Sequence, residues 1–134
     1  MENGRPFLIG GRWSQATTVA PVRNPYTGET IAHVCQASPA DAESAVQSSV
    51  EGAAAMRRLS GYARSTLLAN AAQALQARQE EFARTMTAEA GKPLTDARRE
   101  VGRAIQTLSI AGEEAKRIGG EVVPLDWSPG MEAY

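Results

Sequence analysis

Cys35 is the single cysteine of this chain and stands two residues after His33, so strand alternation puts a thiol and an imidazole on one face. A nucleophilic thiol needs its pKa depressed by a helix N-terminus or a neighbouring cation, and the residues around Cys35 offer neither. Cys35 therefore reads as a packed structural residue. Lys92 has the look of a phosphate-binding lysine, but no glycine-rich loop of the P-loop pattern precedes it, and it reads as solvated. Glu113 and Glu114 are adjacent on a helix, point in different directions and cannot act as a pair, so they read as a solvated face. Arg103 is more informative. It follows Glu100-Val101-Gly102 and lies beside the apolar stripe of its helix. One reading is a surface arginine paired with Glu100 or with the neighbours of Arg99. The other is an anion ligand, because a guanidinium fork donates two parallel bonds to a phosphate, phosphonate or carboxylate.

The elements that position these groups can be read from turn chemistry and periodicity. Phe7-Leu8-Ile9-Gly10-Gly11-Arg12-Trp13 is an apolar stretch broken by Gly-Gly, the signal of a tight hairpin. Val22-Arg23-Asn24-Pro25 enters a turn with Gly28, and the alternating, β-branched run Thr30–Val34 predicts a strand. Ser38-Pro39-Ala40-Asp41 is a helix start, with a capping hydroxyl, a proline at the first position and an acid at the positive end of the dipole. Leu68, Ala71, Ala72, Leu75, Phe82 and Met86 predict a second helix of about thirty residues ended by Gly91. Ala97, Val101, Ala104, Ile105, Leu108, Ala111, Ala115 and Ile118 predict a third, running to Gly119-Gly120. The division expected is a β unit over 1–37, three helices over 38–118 and an extended tail over 119–134.

Length and composition limit what this unit can be. A chain of 134 residues is one domain by size, able to remove about 65–70% of its unfolded surface from water. Only 5% of residues are aromatic, and alanine carries much of the apolar count, which suits closely packed helices. A formal net charge of −1 gives no electrostatic basis for binding nucleic acid or an anionic membrane surface. No apolar run approaches the roughly 20 residues of a membrane span, and Met1–Pro6 lack the pattern of a secretory signal. One cysteine cannot form an internal disulfide, so the expectation is a reduced, cytoplasmic protein.

Four ordered motifs carry a family resemblance: Ile-Gly-Gly-Arg-Trp at 9–13, Asn-Pro-Tyr-Thr-Gly-Glu at 24–29, Ala-Gly-Lys-Pro at 90–93, and Ala-Gly-Glu-Glu-Ala with Gly-Gly-Glu at 111–121. Together they resemble the amino-terminal part of the NAD(P)-dependent aldehyde dehydrogenase superfamily. The fold this implies is mainly α with a small N-terminal β unit (α+β). It is the three-helix opening of the cofactor-binding domain, with the central parallel sheet absent.

The activity implied is oxidation of an aldehyde to a carboxylic acid with NAD or NADP. The nucleophilic cysteine, the glutamate base and the cofactor loop are expected beyond Tyr134. No catalytic or cofactor-binding residue is therefore expected within the chain, which alone should be inactive and hold no cofactor. Glu-Val-Xaa-Arg on the third helix is similar to members acting on small anionic aldehydes, the lactaldehyde, non-phosphorylating glyceraldehyde-phosphate and phosphonoacetaldehyde dehydrogenases. In those, an arginine at the position of Arg103 faces the substrate tunnel. The resemblance further implies a monovalent cation near the carbonyl of Val22 and the carboxylate of Glu89, two of the oxygen ligands a hard cation prefers. A structural glutamate at a helix end is the other reading of Glu89. The partners expected are the rest of the dehydrogenase chain and a second copy, since helix faces without their sheet leave apolar surface open. The alternative function is a non-enzymatic helical self-association or interaction module.

Overall fold

The computed structural model describes residues 4–121, 123, 124 and 129. Among them, β1 (Phe7–Ile9) and β2 (Arg12–Ser14) pair antiparallel, with Leu8 opposite Trp13. Gly10 and Gly11 have φ of 57° and 77°, the left-handed pair that a two-residue hairpin turn requires. β3 (Val19–Arg23) and β4 (Thr30–Cys35) form a second antiparallel pair with a register shift between Val22 and Arg23. The Asn24 side-chain oxygen opens the connecting turn by accepting from the amides of Tyr26 (2.9 Å) and Thr27 (3.2 Å). Arg5 adds a parallel bridge to β4, donating to the His33 carbonyl at 2.8 Å and accepting from the Cys35 amide at 2.9 Å. The expected β unit is thus a pair of hairpins.

α1 (Pro39–Arg58) begins with a complete capping box. The Ser38 hydroxyl accepts from the Asp41 amide at 3.2 Å, and the Asp41 carboxylate accepts from the Ser38 amide at 2.8 Å. A cap of this type contributes about 1 kcal/mol. Yet α1 has no buried residue, and Val46 and Val50 remain 59% and 60% exposed. Its main neighbour is β1, where a Cβ on Gly10 would stand 2.9 Å from the Ser48 hydroxyl oxygen.

The single thirty-residue second helix is not formed. The chain makes α2 (Gly61–Ala77) and α3 (Gln79–Ala90), separated at Arg78 with φ −114° and ψ 17°. No glycine or proline marks this break. Arg78 is held there by hydrogen bonds to Glu81 at 2.8 and 2.6 Å and lies over the Phe82 ring at 5.1 Å. Glu80 and Glu81 then occupy the first turn of α3, where acids favour the positive end of the dipole. Leu75 and Phe82 are seven residues apart, two helical turns, so the apolar period runs through the break and conceals it.

α4 (Leu94–Glu114) folds back along both pieces. Gly91 ends α3 with φ 67°, and Pro93 precedes α4, so the corner forms where the sequence places it. Ala83 of α3 and Ala97 of α4 are both 0% exposed, and Val101 is 4% exposed; Leu75, Met86, Leu94 and Ile105 pack around them. At the other end, Gly112 of α4 faces the Ser65 carbonyl and Leu68 of α2. The last helix stops at Glu114 rather than 118. It gives way to a tighter turn in which the Lys116 and Arg117 amides bond to the carbonyls three residues back, 3.2 and 2.9 Å away. Residues 122, 125–128 and 130–134 of the expected tail lie outside the described residues. No helix among the described residues is long and apolar enough to cross a membrane.

The α2–α4 contact yields a stability test. A Cβ at Gly61 would meet the Ala115 carbonyl oxygen at 2.8 Å, whereas one at Gly120 would meet nothing within 4 Å. Gly61→Ala is expected to destabilise by about 1–3 kcal/mol in urea unfolding, the usual cost of overpacking, and Gly120→Ala to be nearly neutral. Equal midpoints for the two variants would contradict the close approach.

Candidate functional site

The packed stripe of α4 is Ala97, Val101 and Gly112, with Leu94, Ile105 and Leu108 half-buried beside them. Arg103 lies two residues past Val101, about 200° around the helix, so it stands opposite that stripe rather than beside it. Alanines explain the difference. Ala104 and Ala111 widen the apolar arc in the sequence, but Ala104 is exposed and the contact is made by the residues on the other side of the arc. Arg103 itself is exposed.

The charges around Arg103 are paired with one another. Lys92, expected to be solvated, forms an ion pair with Glu100. Glu100 is thus engaged with Lys92 rather than with Arg103. Arg99 binds Asp96 at 3.2 Å, and Arg98 grips Glu80 of α3 with two bonds of 2.8 Å, joined by Arg84 at 2.9 Å. Glu114 pairs with Arg117. Among the described residues Arg103 has no ion-pair partner.

Val22 sits half-buried in β3 opposite Ala32, and Glu89 is exposed in the last turn of α3. Their segments touch, because a Cβ on Gly91 would stand 2.9 Å from Cγ of Pro25. Among the described residues no group of three or more His, Cys, Asp or Glu could hold a metal ion. Cys35 is buried, with its sulfur 3.1 Å from the Gln15 side-chain oxygen and 3.5 Å from the Gly4 carbonyl oxygen. This is the packed position the sequence suggests. Nothing in the sequence singles out Arg64. It donates to the Leu59 carbonyl at 3.1 Å and keeps a buried Nε without a partner on the wall of an apolar groove of about 420 Å³.

A model of the aldehyde dehydrogenase family matches residues 13–134. The chain belongs to the aldehyde dehydrogenase family. It is 40% identical over 126 residues to 3-sulfolactaldehyde dehydrogenase of Priestia megaterium, covering 94% of this chain and 26% of that protein. Aldehyde dehydrogenase 21 of Physcomitrella patens, solved with the reaction product succinate, superposes with a TM-score of 0.87 at 38% identity. That match covers 96% of this chain and 27% of the solved one. An NAD-dependent benzaldehyde dehydrogenase of Corynebacterium glutamicum superposes at 0.83 with 26% identity, over 94% of this chain and 28% of that one. The chain therefore spans about a quarter of the length of these relatives. Its mainly helical fold with antiparallel strand pairs matches the amino-terminal part of the aldehyde dehydrogenase fold.

The ion pairs of this dehydrogenase segment set a pH dependence. Hydrogen bonds from Arg98, with help from the charges of Arg98 and Arg84 against partial burial, lower the Glu80 pKa from 4.5 to about 2. A carboxylate lowered in the folded state contributes fully above its unfolded pKa and loses that contribution as the pH falls through the folded one. Resistance to urea is therefore expected to drop between pH 4.5 and about 2, and Glu80→Gln to flatten part of that drop. Identical acid profiles for the variant and the wild type would show that Glu80 and Arg98 do not hold α3 to α4 in solution.

Proposed function

We propose that this chain is the amino-terminal segment of an NAD(P)-dependent aldehyde dehydrogenase that oxidises a small anionic aldehyde to its carboxylic acid. The overall change consumes the aldehyde and water and yields the acid, a proton and a hydride, which the nicotinamide cofactor accepts when bound. The observation that carries the substrate class is the exposed guanidinium of Arg103, without an ion-pair partner among the described residues, on the face of α4 that its own hairpin leaves uncovered. The relatives support it: one is named for a sulfonate-bearing aldehyde, and another was solved with a dicarboxylate product. In this reading Arg103 binds the anionic end of the substrate, and the cysteine and glutamate that do the chemistry lie beyond Tyr134. Cys35 is no substitute, since a buried sulfur flanked by Gln15 and Gly4 offers no path to a carbonyl carbon. The Val22 carbonyl and Glu89 carboxylate are two oxygens of a monovalent cation shell completed elsewhere in the protein. The setting is the cytoplasm, where Cys35 stays a thiol.

In the full-length enzyme, Arg103→Ala is expected to raise KM for sulfonate-, phosphate- or carboxylate-bearing aldehydes by about ten- to a hundredfold, the loss of a charge-assisted bond worth roughly 1.5–3 kcal/mol. Neutral aldehydes of similar size should change little. Equal losses on both classes would mean that Arg103 supports the helix and not the substrate.

The isolated 134-residue chain, mixed with NAD or NADP and a panel of aldehydes, is expected to give no change in nicotinamide absorbance. Aldehyde-dependent reduction that follows the purified chain would overturn the division of labour proposed here.

A second copy is the further partner. Leu75, Ile105 and Leu108 find cover within the hairpin, but Val46, Val50, Leu67 and Ile110 stay exposed and invite self-association. Light scattering is expected to show a mass above that of one chain at high concentration. A strict monomer over a broad concentration range would count against it.

A further inference from the structure

We draw no further inference here: the strongest candidate, the apolar groove that Met56, Leu67, Leu68 and Ile118 line beside the unpartnered Nε of Arg64 where α1, α2 and α4 meet, has nothing in the structure to show what covers it.

Discussion

Close approach of two alanines, Ala83 and Ala97, is the contact on which the helical hairpin depends. Neither carries a side chain large enough to keep the backbones of α3 and α4 apart, and both are fully withdrawn from solvent. Glycines play the same part farther along, Gly112 under Ser65 and Leu68 and Gly61 under the Ala115 carbonyl. Small residues thus form a seam along the whole of α4, and Val101, Leu75, Met86 and Ile105 fill the space beside it. Such a seam derives its stability from many shallow van der Waals contacts rather than from a few bulky anchors, which fits a chain poor in aromatics.

The seam has a consequence for the site. Because α4 turns Ala97, Val101 and Gly112 inward, the residues half a turn away face outward. Arg103, Arg99 and Thr107 follow one another along that outer side. The cross-helix bond of Glu80 to Arg98 and the bond of Lys92, in the corner itself, to Glu100 both stand near the start of α4. Exposed pairs of this kind define geometry more than they stabilise.

Local chemistry was legible in the sequence. The Gly10-Gly11 turn, the Ser38–Asp41 capping box and the Gly91–Pro93 corner each depend on residues within a few positions, and each forms as its residues demand. What could not be read was set by partners distant in sequence. Glu80 and Arg98 are eighteen positions apart, and nothing in either neighbourhood joins them. The break at Arg78 escaped because the apolar spacing stays in phase across it, and the side chains that hold it, Glu81 and Phe82, are unremarkable helix residues. The direction of Arg103 was misjudged for a related reason: alanine counts as apolar in a periodicity whether or not anything rests on it.

α1 obeys different rules from the hairpin. Its start is locked by Ser38 and Asp41, and Ser44 and Ser49 return their hydroxyls to carbonyls one turn back. No residue along its twenty is buried. A helix capped at its start and with no buried residue is expected to open locally at low free energy. Backbone amides in the middle of α1 would therefore trade hydrogen for deuterium through local fraying, long before those of α4 did so through global unfolding. Within one short chain, the fold keeps two clocks.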